Sequence, residues 1–399
     1  MRRFFFRLGV LGFLLLPFAL SGCAGLWTNA REVEDLLVIQ TMGLDDDPAG
    51  IRLTLASAAG LHADGRPLRM EGRGPSVTTA IERVRSLANE EDLFCAHISH
   101  VLIGEATARR GLDRELDYIC RSPDLRISVP LYVLRGGEAG EAVLNTGDER
   151  FGICDALDAV DGDLKRRGDG RVFSAAEVSQ ELARQGSALI CAVALLPSAS
   201  QETPQEGSPQ GAAETMAREG APSEPLMTVS AVGYGVLKDG RLCAFIDRDK
   251  AVAVGLLRNE SGPCELVVTD RAGSRVTIAL ERGETALRPL RDGDGQLTGL
   301  ELELKAEAAL SETGAAGEAD AGELTALAEA ALSERAAAVL QLSKQLQADF
   351  LGLGPRVERA DPAAYRAQPP FDELLAELPI RLTVSVRLVR SSDLEDARP

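Results

Sequence analysis

The strongest constraint on this chain lies in its middle. Residues 197–225 hold five prolines and no Ile, Val, Phe, Tyr or Trp, so they offer too little apolar surface to offset the entropy of ordering a backbone. The segment reads as a disordered linker. The chain must therefore build two packed halves, 23–196 and 226–399, on either side of it. With 399 residues, 45% hydrophobic and 26% charged, it has enough apolar content for two cores, which excludes disorder throughout and a polytopic membrane protein. Forty-three basic residues face 61 acidic ones, a net charge of −18. Nucleic acid is excluded as a partner, because phosphate binding needs clustered positive charge. Aromatic residues make up 4% of the chain, so the cores must be built from Leu, Val, Ile and Ala.

The first segment carries an address. Arg2, Arg3 and Arg7 precede a short apolar run from Leu8 to Leu20, and Leu20-Ser21-Gly22-Cys23 follows at once. This is the pattern of a bacterial lipobox ending a signal peptide, residues 1–22. The run is short for a membrane span, and Pro17 interrupts it. Small Ser21 and Gly22 let the chain lie extended in a peptidase, and the Cys23 thiol takes diacylglycerol. Removing residues 1–22 takes away three arginines and no acid, leaving an acidic body tethered to the extracytoplasmic face of a membrane by lipid. No other cofactor is expected. The six remaining cysteines, Cys95, Cys120, Cys154, Cys191, Cys243 and Cys264, are even in number but lack any CxxC pair. Buried free thiols and one or more disulfides both stay open.

Periodicity alternates between strand and helix in both halves. Residues 37–58 read as a hairpin turning at Asp46–Gly50, and Ser76 opens a helix with Val77, Ile81, Val84 and Leu87 on one face. His100–Ile103 reads as a buried strand, and Gly111 separates two helices. Leu125, Ile127, Val129, Leu131 and Val133 alternate with other residues, predicting a strand that Pro130 confines to an edge or a bulge. Helices are expected at 139–144 and 154–164, and Ser174 with Glu177 forms a capping box opening a third. The run 188–196 reads as a central strand closing the first half. Beyond the linker, Asp239-Gly240 marks a hairpin, and Asp247 is placed to cap a helix through Leu257. Further strands are expected near 265–269, 275–280 and 297–304, and residues 311–323 read as a second flexible stretch. A long helix over 324–350 ends at Gly352 and Gly354, and a half-buried strand follows at 380–388. The class is α+β, mixed sheets with packed helices.

Catalytic signatures are missing. There is no P-loop, no GxSxG, no HExxH and no dinucleotide fingerprint. Cys95, His97 and His100 are metal-ligating types close in sequence, but zinc wants a further ligand at set spacing, and the expectation is a structural cluster with no metal. Asp292-Gly293-Asp294-Gly295-Gln296 has Leu297 where a calcium loop needs Gly and lacks flanking helices, so it reads as a turn. Asp45-Asp46-Asp47 is expected to be a solvated hairpin turn.

The pieces resemble a known family. Trp27, then Arg31–Leu36 leading into Gly43-Leu44-Asp45, the helix 76–87, His97–Glu105, Arg110–Asp113, Asp124-Leu125-Arg126, Gly235–Leu242 and Ala348–Gly354 together are similar to the Ger(x)C lipoproteins, the C subunits of spore nutrient germinant receptors. Two departures are visible: Ala24-Gly25-Leu26 stand between Cys23 and Trp27, and the central linker looks expanded. The resemblance implies about three subdomains and a non-catalytic, lipid-anchored subunit at the inner spore membrane. It would act with an A-type and a B-type integral-membrane partner, and its ligand-binding residues are unknown. The alternatives are a solute-binding lipoprotein of a transporter, for which a 29-residue linker is a poor hinge, and a secreted hydrolase, for which no nucleophile or metal set is present.

Overall fold

The computed structural model describes residues 36–57, 67–88, 92–147, 151–198, 226–269, 273, 275–312, 321–366 and 370–388. Before the linker the chain runs β1 (Leu36–Asp47), β2 (Gly50–Ser57), β3 (Arg69–Gly74), α1 (Val77–Leu87), β4 (Asp92–Phe94), β5 (His100–Gly104), α2 (Glu105–Arg110), α3 (Asp113–Arg121), β6 (Pro130–Leu134), α4 (Ala139–Asn145), α5 (Ile153–Arg167), β7 (Phe173–Ser174), α6 (Ala175–Gln185) and β8 (Ser187–Pro197). After it come β9 (Met227–Lys238), β10 (Arg241–Asp247), α7 (Arg248–Arg258), β11 (Cys264–Thr269), β12 (Arg275–Arg291), β13 (Leu297–Glu312), α8 (Ala321–Leu346), α9 (Leu353–Ala360), α10 (Pro362–Arg366), α11 (Phe371–Leu375) and β14 (Ile380–Leu388). The α+β class is observed.

One large mixed sheet carries the order β10-β9-β8-β6-β5-β1-β2-β3, with β4 beside β1 and β7 beside β6. The contiguous strands β8, β6, β5 and β1 are parallel. Parallel strands need both faces covered, and both are. On β6, Leu131 and Val133 enter the core shared with α1, α3 and α6, whereas Tyr132 and Leu134 point the other way, under α4 and α5. All five residues of β5 are buried.

A second sheet, β11-β12-β13-β14, has α8 over one face, where Leu324, Ala328 and Leu332 meet Leu266, Ile278 and Leu304. Its other face is solvated: β11 alternates buried and exposed along its whole length. Helix α7 joins the sheets. Its Ala251, Ala253, Val254 and Leu257 belong to the first core and its Val252 and Leu256 to the second, so it is apolar nearly all round, as a helix between two layers must be.

Several expectations change. The strand 188–196 does not close the first half, because β8 pairs antiparallel with β9 from Ser187 to Pro197; the linker interrupts the chain but not the sheet. Residues 125–129 are not strand. There Val129 N–H donates to Arg126 O, while Ile127 and Val129 carbonyls accept from Ala176 and Ala175 at the start of α6, so the alternation came from a turn that seats a helix. Pro130 then starts β6, which lies inside the sheet rather than at its edge; a first position needs no ladder donor. The long helix stops at Leu346, with Gln347 at φ 50 and Ala348 N–H donating to Ser343 O. Gly352 opens α9 instead of ending α8. Asp247 precedes α7 without a side-chain cap, its carboxylate being held by Arg135 at 2.7 Å. The Asp239-Gly240 hairpin is found, both residues at positive φ, the geometry an Asp-Gly turn adopts.

Candidate functional site

The lipid-attachment residue Cys23 and the lipobox residues Leu20, Ser21 and Gly22 lie outside the described residues, as does most of the expected linker 197–225 and of the stretch 311–323. Among the described residues, polar chemistry gathers in two buried places. One is the joint between the two sheets. The other is a cluster beneath α5.

At the joint, Arg258 ends α7 with its side chain 7% exposed. Its guanidinium donates to Glu181 of α6 at 2.5 Å, to Glu260 at 2.9 Å and to the Phe350 carbonyl at 2.5 Å, and it lies 5.3 Å from the centre of the Phe173 ring. Burial opposes the charge, but the two carboxylates prevail and hold the group more firmly protonated than usual; at Glu260 burial is likewise overcome, by Arg258 and then Arg171, which hold its carboxyl below the ordinary range. Asn259, in the left-handed conformation that favours Asn after a helix, exchanges two hydrogen bonds with the Thr285 backbone on β12. Arg356 of α9 donates to the Leu257 and Thr285 carbonyls. Four elements distant in sequence thus meet at the C-terminus of α7, where cations also complement the helix dipole.

Close by, Asp349 is fully buried. Its two oxygens accept from Leu353 and Gly354 N–H at 2.8 and 2.6 Å, satisfying donors at the start of α9. Burial outweighs those bonds and pushes its carboxyl up to about 7. Asp45 plays the matching part in the first half, accepting from Ala139 and Gly140 N–H at 2.7 Å each at the start of α4. It is 2% exposed, so of the Asp45–Asp47 run this residue is a buried cap and not a solvated turn. Burial raises its carboxyl above the usual range, against the two amides and Arg52.

The Cys95-His97-His100 grouping does not assemble. Cys95 is buried beside Arg85, its thiol pushed up to about 11 by burial, and His97 is exposed against the Phe94 ring. His100 turns to the opposite face of the sheet. There its Nε2 lies 3.1 Å from Asp158 Oδ1 of α5, and its ring is 5.7 Å from that of Tyr132. Burial lowers its basicity, partly offset by Asp158 and Asp161. Cys154, one turn earlier on α5, places Sγ 3.5 Å from Ser99 Oγ and 4.0 Å from Asp158 Oδ2. The sequence reading missed Asp158 and Arg258. The i, i+4 spacing of Cys154 and Asp158 was a visible signal, but their partner His100 sits on a strand 58 residues before Asp158.

The other cysteines are free as well, with Cys191 and Cys264 buried and Cys120 and Cys243 exposed. Asp292-Gly293-Asp294-Gly295-Gln296 is a turn: Asp292 Oδ1 accepts from the Asp294 and Gln296 amides. An open cavity of about 580 Å³ lies between α1 and α3. Two arginines on its wall are committed to acids of their own helices, Arg85 to Glu82 at 2.6 Å and Arg121 to Asp117 at 2.5 Å.

At the joint the buried polar groups fasten elements together, and beneath α5 the Cys154 thiol and the His100 imidazole lie within 4.8 Å of one another. Comparison with known proteins points to spore germination. Residues 29–149 match the model of the spore germination protein N-terminal domain, and residues 232–392 match that of the spore germination B3/GerAC-like C-terminal domain. No curated protein matches the sequence. In three dimensions the chain is similar to the crystal structure of the GerBC protein, with TM-score 0.55 and 16% identity over 87% of this chain and 96% of that one, a likeness of fold. No helix among the described residues is long and apolar enough to cross a membrane. With both domain models matched in order along most of its length, the chain belongs to the Ger(x)C family of spore germination proteins.

Proposed function

We propose that the protein is the lipid-anchored, non-catalytic C subunit of a spore nutrient germinant receptor, required for receptor assembly and for the response to germinants. The observation that carries this reading is the ordered pair of family matches, 29–149 and 232–392, behind the lipobox Leu20-Ser21-Gly22-Cys23. In this reading diacylglycerol on Cys23 holds residues 23–196 and 226–399 on the extracytoplasmic face of the inner spore membrane, beside an A-type and a B-type integral-membrane subunit. The segment 197–225 links the two halves. The structure suits a scaffold better than a solute-binding lipoprotein, because lobes that open and close need a hinge, whereas here β8 and β9 pair over their whole length and α7 is buried between both sheets.

Cys23→Ala tests the anchor. The variant is expected to take up no label from a fatty-acid analogue, to leave the membrane fraction and to fail to support germination. Undiminished label on the variant would overturn the assignment of Cys23.

A further inference from the structure

His100, Cys154 and Asp158 present one nitrogen, one sulfur and one carboxylate oxygen that all lie within 4.8 Å of one another. Two of these distances are 3.1 Å, from His100 Nε2 to Asp158 Oδ1, and 4.0 Å, from Cys154 Sγ to Asp158 Oδ2. With metal–ligand bonds of about 2.0 to 2.3 Å, ligands at tetrahedral angles stand about 3.3 to 3.7 Å apart, so the two Asp158 distances fall just either side of that range and rotation of its exposed carboxylate adjusts both.

An ion pair between His100 and Asp158 accounts for only one of these contacts. It gives no role to the thiol, which makes a weak hydrogen bond at best. It also leaves another group unserved. The Tyr132 hydroxyl lies among Cys154, Asp158, Asp161 and Cys191. Both Tyr132 and Thr41 are 0% exposed; the Thr41 hydroxyl turns to the Cys154 thiol, whereas the Tyr132 oxygen has no hydrogen-bond partner. A buried polar atom left without a partner is destabilising. A cation with a water in its fourth position would supply such a partner. Asp158 also opens a path to solvent, since its side chain is 69% exposed.

We propose that His100, Cys154 and Asp158 form a binding site for a borderline-soft divalent cation of the zinc class, which clamps helix α5 onto strand β5. One imidazole, one thiolate and one carboxylate suit zinc and disfavour calcium or magnesium, which take oxygen ligands. The thiol proton goes to solvent as the metal–sulfur bond forms. This site replaces the expectation of a purely structural His100, and it stands independently of the receptor reading.

Cobalt(II) is the probe, because its bond to a thiolate gives a charge-transfer band in the near ultraviolet. Full chain purified in detergent is expected to bind one equivalent with that band, and zinc(II) to abolish it by displacement. Cys154→Ser, close in shape to cysteine, should lose the band, while Cys95→Ser should keep it. Asp158→Asn changes an exposed side chain and so leaves folding intact; it should weaken cobalt binding by at least the ~10-fold that loss of even an outer-shell partner produces. Absence of the band in the wild-type chain, its persistence in Cys154→Ser, or unchanged affinity in Asp158→Asn would each overturn the site.

Discussion

Arg258→Ala tests whether the joint at the end of α7 holds the two halves as one body. The substitution removes a guanidinium that is 7% exposed and leaves Glu181, Glu260 and the Phe350 carbonyl without their common donor. Breaking a buried pair from one side costs about 3 to 5 kcal/mol, because the remaining charge stays desolvated. Here the carboxylates keep some access to water, Glu181 at 20% and Glu260 at 32%, and Glu260 keeps Arg171 at 3.1 Å, which places the expected loss at the lower end, about 3 kcal/mol. The contact with Phe173 goes too. Arg258→Lys keeps the charge but not the planar fork that reaches three acceptors, so about half the loss is expected. Equilibrium urea unfolding followed by far-ultraviolet circular dichroism measures both. The transition of Arg258→Ala should also split, as the second sheet comes to unfold separately from the first. A change below about 0.5 kcal/mol, the scale of an ordinary surface substitution, together with a single unsplit transition, would refute the reasoning.

Two other predictions follow from the same geometry. Asp349 titrates at about 7 in the folded chain against 3.8 as an ordinary carboxyl, so the native state holds its proton more tightly; its favourable contribution is full below pH 3.8 and is lost as pH rises through 7. At about 1.36 kcal/mol per unit this amounts to at most about 4 kcal/mol; Asp349→Asn should remove that slope, and a difference between wild type and variant that is constant from pH 5 to pH 8 would contradict it. A protease site inserted between Ser198 and Leu226 should, once cut, give two fragments that co-elute on gel filtration, because β8 and β9 remain paired; separation of the fragments would show that the linker holds the halves together.

Local chemistry made much of this fold legible. The Asp239-Gly240 hairpin, the Ser174–Glu177 capping box and the buried run at His100–Ile103 all carry their signal within a few residues. Legibility failed where the deciding partner was remote. Asp45 looks like one of three turn acids until α4 delivers two backbone amides to it from 94 and 95 residues away. Residues 125–129 alternate like a strand, but their carbonyls serve α6. The same applies to the site beneath α5: sequence proximity grouped His100 with Cys95 and His97, whereas strand alternation sends His100 to the other face, toward Cys154 and Asp158. The pairing of β8 with β9 across a polar linker could not be read from composition, which describes the segment between them and not the strands it joins.

Receptor membership is the central claim, and affinity isolation from detergent-solubilised spore membranes tests it most directly. With a tagged copy of this chain as bait, an A-type and a B-type integral-membrane subunit should co-purify in comparable amounts, and Cys23→Ala should recover neither from the membrane fraction. Efficient recovery of the bait from the membrane with neither subunit bound would contradict the account.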